Sequence, residues 1–170
     1  VAGMLANRHK ESLSNIKSML VDCGYKLYFK LLNAADYEVP QDRKRVIFLG
    51  IRSDIDINYT FPPPISPKLN LQQTIWDLRD SVKAENKASI SVGTNFEIPN
   101  HEYLVGGFSS LYMSRNRVRS WDQQSFTIQA GGRHAPIHPQ APKMEKIDQD
   151  KHIFSPGHEH LYRRLSVREC

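Results

Sequence analysis

The chain has 170 residues, 39% of them hydrophobic and 24% charged, with a formal charge of +5. This is the composition of a soluble globular protein able to bury a core, neither disordered nor built around a bilayer span, which would need a run of about eighteen apolar residues. Cys23 and Cys170 are too few and too far apart for a disulfide scaffold or a zinc ribbon, so a reducing compartment, the cytoplasm, is expected, and the mild basic bias favours an anionic partner such as nucleic acid.

From about His9 to Cys23 the apolar residues Leu13, Ile16, Met19 and Leu20 recur three and four apart, which predicts an amphipathic helix, and Gly24 stands where a C-terminal cap belongs. Cys23, at the end of that helix, is expected to be a small core residue. The aromatic and apolar run Tyr25 to Leu32 predicts a strand, and Asn33 to Arg43, with Pro40, a loop. Val46 to Ile51 is a nearly continuous apolar run, as in a strand buried on both faces. Helix, strand, loop and buried strand together predict part of an α/β layer structure. Phe61 to Pro67 holds four of the ten prolines and reads as a linker or domain edge. A short helix is expected over Leu71 to Arg79, with Leu71, Ile75 and Leu78 on one face, and a loop from Ser81 to Asn100. The stretch from His101 to Met144 is rich in Gly, Arg, His and Pro, with short apolar runs such as Phe126 to Ala130, and predicts a small irregular domain of loops and short strands. Tyr162 to Cys170 has a charged pattern with helical spacing.

Two clusters carry candidate chemistry. Gln41-Asp42-Arg43-Lys44-Arg45 immediately precedes the buried strand. There one guanidinium is expected at a pocket above the sheet edge, suited to a carbonyl or phosphate oxygen, and the other on the far side. A solvated basic loop capping a strand fits the spacing as well. The second cluster is Ser114-Arg115-Asn116-Arg117-Val118-Arg119, followed by Gln129 and, after Gly131 and Gly132, Arg133. Arginine reads guanine through a bidentate contact to O6 and N7, and the cluster contains no lysine, which favours base reading over generic charge. A surface strand with alternating arginines is the other reading. His134 and His138 lie beside these arginines as further candidates for phosphate or base edges. His158 and His160 flank Glu159 without a third ligand at a zinc-like spacing, and no metal is expected.

Asp36-Tyr37 and Val39 to Gly50, with Gln41-Asp42-Arg43-Lys44-Arg45 at their centre, resemble the Gln-x-Arg-x-Arg motif of DNA cytosine-5 methyltransferases. Tyr162 to Cys170 is similar to the motif that follows the target recognition domain in that family. Met113 to Trp121 and His138 to Pro142 resemble the recognition domain of bacterial restriction-modification enzymes that modify GGCC. The resemblance implies an α/β fold: the C-terminal part of a Rossmann-like, S-adenosylmethionine-dependent catalytic domain over 1–58, a small, mostly β and loop, target recognition domain over 59–160, and the start of a return segment over 161–170. It implies double-stranded DNA as partner, with no membrane. By the resemblance Arg43 contacts O2 of a flipped cytosine, Gln41 shapes the loop, and Arg45 and Ser114 meet phosphates. Arg115, Arg117, Arg119, Arg133 and Gln129 read bases, and Leu111 stands near the gap left by the flipped base.

The departures matter equally. The family's Pro-Cys nucleophile, its glycine-rich cofactor loop, the acid of its Glu-Asn-Val motif and its last Gly-Asn motif are absent from the chain. Val1 to Leu5 looks like the continuation of the Glu-Asn pair in that motif. The resemblance therefore implies a C-terminal fragment, inactive alone, whose cofactor site lies mostly in a missing N-terminal half, or a specificity subunit of a split enzyme. Neither Cys23 nor Cys170 is the nucleophile. Arg133 to Ile137 diverges from the GGCC type, which leaves a degenerate site such as GGNCC open.

Overall fold

The computed structural model describes residues 5–85, 97–129 and 131–170. The N-terminal motif residues Val1 to Met4, the greater part of the expected Ser81 to Asn100 loop, and Ala130 lie outside them. The chain divides into two compact units, one of residues 1–39 and 43–68, the other of residues 40–42 and 69–170.

In the first unit, α1 (Lys10–Asp22) ends at Cys23, whose amide donates to the Met19 carbonyl, and Gly24 takes φ +84° while its amide donates to the Val21 carbonyl. A residue with a Cβ would be strained at that angle, so glycine is the natural stop. The chain turns directly into β1 (Tyr25–Asn33), which pairs antiparallel with β3 (Lys44–Arg52) from Tyr25 opposite Arg52 to Asn33 opposite Lys44. Phe29 stacks on Phe48 across the pair, and the Lys17 ammonium of α1 lies 3.9 Å from the Phe29 ring centre. The Asn33 side-chain oxygen accepts from the Arg43 amide at 2.9 Å, and the Ala34 amide donates to the Arg43 carbonyl, closing the connection between the strands.

Burial on both faces of β3 is not observed: its residues are half-buried or exposed, with Ile47 43% exposed. The cause is a sheet of two strands, on which α1 packs at β1 and the irregular chain at Ile57 and Tyr59 meets Tyr28. For the same reason α1 has no buried residue, and Cys23 is exposed rather than in a core. The opposed placement expected of Arg43 and Arg45 also needs restating. Residues i and i+2 of one strand share a face, but Arg43 lies outside β3, at the junction with β2 (Gln41–Asp42), so the rule does not bind the pair. The proline-rich tract forms no regular element. It is held along the first unit by Tyr37 donating to the Pro62 carbonyl and the Ile65 amide to the Asp36 carbonyl.

The second unit opens with α2 (Leu71–Ile75), set by a reciprocal cap in which the Asn70 side chain accepts from the Gln73 amide and the Gln73 side chain from the Asn70 amide, each at 3.0 Å. The expected helix to Arg79 stops at Ile75 and tightens into a 3-10 turn, Trp76–Leu78. Leu71 and Ile75 pack with Leu165 and Trp121. The loop expected from Ser81 contains a strand, β4 (Lys83–Glu85), parallel to β5 (Glu102–Leu104). Further on, β6 (Ser125–Phe126) pairs in parallel with β2, and β7 (Glu145–Asp148) forms a hairpin with β8 (Lys151–Ile153). With so little regular structure, the larger core is made by side chains from irregular segments: Tyr112, Val118, Ile137, Ala141, Met144 and Tyr162, joined by Phe108 and Phe154.

Tyr162 to Cys170 is not a helix; a 3-10 turn, Glu159–Leu161, leads into extended chain. Arg164 bridges Ile137, the Arg163 carbonyl accepts from the His138 amide, and the Pro136 carbonyl from the Leu165 amide. Five consecutive residues, Tyr162 to Ser166, are buried, a pattern that is not helical periodicity, and both arginines go inside. Arg163 makes a bidentate pair with Glu169, 2.7 Å at each nitrogen. Glu169 also accepts from the Ser166 amide. The Ser166 hydroxyl donates to Nδ1 of buried His101, whose Nε2–H donates to the Leu78 carbonyl at 2.7 Å. Arg164, 3% exposed, has no carboxylate partner among the described residues. Its guanidinium donates to the carbonyls of Leu104, Gly106 and Gly107 and lies 3.9 Å from the Phe108 ring centre, while its Nε reaches the Arg133 carbonyl at 3.4 Å.

Burial alone would raise the Glu169 carboxyl, but the hydrogen bonds and charge of Arg163 outweigh it and hold the group below its ordinary value. Burial, reinforced by the Arg163 cation, pushes His138 down to about 4. Both groups bind protons less readily when folded than when unfolded, so both withdraw stability as the pH falls: His138 between about 6.5 and 4, Glu169 below the ordinary carboxylate range. Denaturant titrations should show a loss of up to about 3 kcal/mol from His138 over that window, absent in His138→Asn. Glu169→Ala, which strands a buried guanidinium, should cost about 3–5 kcal/mol at neutral pH. Arg164→Lys should also destabilise the protein, by about 1–3 kcal/mol for each carbonyl left unpaired, because one ammonium cannot reproduce the planar fork. A neutral-pH midpoint unchanged in Glu169→Ala would contradict the network.

Candidate nucleic-acid interface

The candidate residues divide between the units. Arg43 and Arg45 belong to the first; Gln41, Leu111, Ser114, Arg115, Arg117, Arg119, Gln129 and Arg133 belong to the second. In the first unit Arg43 is fixed through its backbone on Asn33, and Arg45 turns one nitrogen onto the Lys44 carbonyl at 2.8 Å. In the second, Gln41 stands opposite Ser125 in the β2–β6 pair.

Three of the second unit's candidate arginines meet around a cavity of about 220 Å³ lined by Asp42, Arg115, Asn116, Arg117, Arg119, Phe126, Thr127, Gln129, His134 and Pro136. A neighbouring cavity of about 510 Å³ shares His134 and is lined by Arg133, Arg164 and the Leu104 to Gly107 turn. Gly106 has φ +150° there, which puts its carbonyl within reach of Arg164 and is a conformation that side chains rarely adopt.

Although the sequence treats the four candidate arginines alike, the structure separates them. Arg115 and Arg133 are exposed and make no side-chain hydrogen bond or ion pair among the described residues. Arg117 is engaged: Nε donates to the Tyr112 carbonyl at 2.8 Å, one terminal nitrogen to the Leu111 carbonyl at 3.2 Å, and the guanidinium lies over the Tyr112 ring. Burial, together with the Arg115 charge, lowers its proton affinity from the ordinary arginine value. Arg119 lies 4.1 Å over the Phe126 ring with a terminal nitrogen 3.8 Å from the Asp42 carboxylate.

The Leu111 carbonyl accepts from Arg117 and, at 2.8 Å, from the Ser114 hydroxyl, so that hydroxyl faces its own turn. The Leu111 side chain is 70% exposed, the most exposed large apolar group among the described residues. Behind it Tyr112 is buried; desolvation pushes its hydroxyl up to about 12, which keeps it a neutral donor to the Ala135 carbonyl at 2.6 Å. Gln129 and His134 are exposed at the cavity rim. His138 is not available to phosphate or base, contrary to expectation: it is wholly buried, its Nδ1 accepts from the Gln140 amide, and Trp121 meets it edge-on.

Sequence reasoning missed Asp42 as an acidic member of an arginine-rich cavity, although it stands between Gln41 and Arg43. It also missed Asn116, whose side-chain oxygen accepts from the Val118 and Met144 amides and locks the turn that separates Arg115 from Arg117. An amide side chain between two arginines was the available signal.

The family model for C-5 cytosine-specific DNA methylase matches residues 1–170. Among curated proteins, the chain is 53% identical over 170 residues to the type II methyltransferase M.MthTI of Methanothermobacter thermautotrophicus, covering 100% of this chain and 51% of the relative. It is 47% identical over 173 residues to M.FnuDI of Fusobacterium nucleatum, covering 50% of that protein, and 46% identical over 169 residues to M.BsuRI of Bacillus subtilis, covering 36%. The chain thus spans about half the length, or less, of these relatives. A match over every residue to one family model leads to one conclusion: the chain belongs to the C-5 cytosine-specific DNA methylase family.

Proposed function

We propose that this chain is the DNA-reading half of a type II cytosine-5 methyltransferase that modifies GGCC or a related site such as GGNCC, and that it transfers no methyl group alone. The observation that carries the reading is the pair of unengaged, exposed guanidiniums, Arg115 and Arg133, beside cavities rimmed by polar side chains. A planar donor fork with no internal partner suits guanine O6 and N7, and each good bidentate pair discriminates by about 1–3 kcal/mol. Arg117, with part of its fork committed to carbonyls, and Gln129 at the rim complete the reading set; Arg45 and Ser114 are assigned to phosphate. The second unit would serve as the target recognition domain and the first as part of the catalytic domain.

A cytosine inside a duplex must leave the stack before its ring can be attacked, at a cost of a few kcal/mol. Exposed Leu111, held by its carbonyl on a fixed turn, is suited to fill the space left behind. Arg43, permanently charged, would hold the cytosine O2 as electron density shifts in the ring. S-adenosylmethionine would supply the methyl group, and the described cavities do not suit it: both are lined by arginines, whose field opposes a sulfonium cation. The cofactor site, the thiol nucleophile and the catalytic acid are therefore assigned to the part of the relatives that this chain does not cover, in the same polypeptide or in a separate subunit.

Plasmid DNA from cells carrying the complete enzyme should resist a GGCC-cutting nuclease, whereas the 170 residues alone should give no protection. Arg115→Ala or Arg133→Ala should relax the preference for cognate over singly altered duplexes by about 1–3 kcal/mol. Arg45→Ala should instead weaken binding equally on all duplexes and flatten the slope of log K against log salt by about 0.9. Equal losses on every sequence for all three variants would remove the base-reading assignment, and methyl transfer by the isolated chain would remove the assignment of the catalytic groups.

A further inference from the structure

We propose that Asp42 and Arg119 are positioning residues that couple the recognition cavity to Arg43; the proposal rests on the function proposed above. The chain leading to Arg43 is stitched to the cavity wall at several points. The Ser125 amide donates to the Pro40 carbonyl at 2.8 Å, Asp42 stands opposite Phe126 in the β2–β6 pair, and the Thr127 hydroxyl donates to the Asp42 carbonyl at 2.8 Å. Arg119 completes the attachment, since its guanidinium covers the Phe126 ring and faces the Asp42 carboxylate at 3.8 Å. Both ends of this strut line the same cavity, so a duplex seated there presses on the residue immediately before Arg43.

Two features separate Arg119 from the base readers. Its charge is already answered by an acid and an aromatic face, whereas Arg115 and Arg133 have neither among the described residues. Its Nε is buried and unpaired among the described residues. A buried donor left unpaired is a cost. An error of about 1 Å in a group that orients the reacting base lowers turnover about a hundredfold without altering what the protein recognises.

The test uses the complete enzyme with Asp42→Asn and, separately, Arg119→Lys. Asp42→Asn keeps the bonds of the Ser125 amide to the Pro40 carbonyl and of the Thr127 hydroxyl to the main-chain carbonyl of residue 42, while it removes the carboxylate charge and turns one acceptor oxygen into an NH2 donor. In both variants kcat on the cognate duplex should fall about 10- to 100-fold, while duplex affinity stays within about threefold and the preference over singly altered duplexes is retained. A preference relaxed at one base pair in Arg119→Lys would show that Arg119 reads a base. An unchanged kcat in both variants would show that the pair positions nothing. Wild-type enzyme that methylates no duplex would overturn the proposed function, whereas active wild type with equally active variants would overturn the coupling alone.

Discussion

Two adjacent guanidiniums, Arg163 and Arg164, are buried where an ordinary small domain would place leucines, and the second unit is arranged around the need to satisfy them. They are answered by different means. Arg163 has a full carboxylate in Glu169, in a bidentate geometry that few other side-chain pairs provide. Among the described residues Arg164 has only dipoles and ring faces, so three carbonyls of the Leu104 to Gly107 turn and the Phe108 ring converge on it. A unit whose strands are two to four residues long cannot hold its loops by ladders of backbone hydrogen bonds. Buried charge does that work instead, and the desolvation cost of each ion makes any other loop arrangement still less favourable.

The same economy shapes the candidate interface. Arg164 holds the Arg133 carbonyl from behind, Arg117 and Ser114 hold the Leu111 carbonyl, and Asn116 locks the turn after Arg115. The side chains of Leu111, Arg115 and Arg133 are thereby presented outward on backbone that is fixed from within. Preorganisation of this kind reduces the ordering that binding would otherwise require. It also explains why arginines of the same type, two to eighteen positions apart, differ in their engagement: some are scaffolding and some stay exposed without a side-chain bond among the described residues.

Much of the first unit was legible in the sequence, because its elements are local. The helical spacing of Leu13, Ile16 and Leu20, the glycine stop and the following apolar strand need no distant contact to specify them. Burial was not legible there, since an apolar run such as Val46 to Ile51 records what a strand is able to bury, not how many layers cover it. In the second unit the order of legibility reverses. The arginine and glycine chemistry stood out, whereas the conformation of Tyr162 to Cys170 did not. Charged residues at helical spacing are normally a solvated helix face. Here Ile137 and the Gly106 turn, distant in sequence, and Glu169 within the same segment draw Arg163 and Arg164 inside an extended stretch. His138 was misplaced for the same reason, since its burial depends on Arg163 and Trp121, which no local pattern announces.

Contact of Arg115 and Arg133 with guanine edges in the major groove is the core of the proposed function. It is tested most directly by binding of the complete enzyme to cognate duplexes in which single guanines are replaced by 7-deazaguanine, which removes the N7 acceptor and leaves the phosphates and the Watson–Crick pairing intact. The affinity should fall by about 1–3 kcal/mol at the guanines these arginines are proposed to read, and the loss should vanish in the matching alanine variant. Equal affinity for every substituted duplex would contradict it.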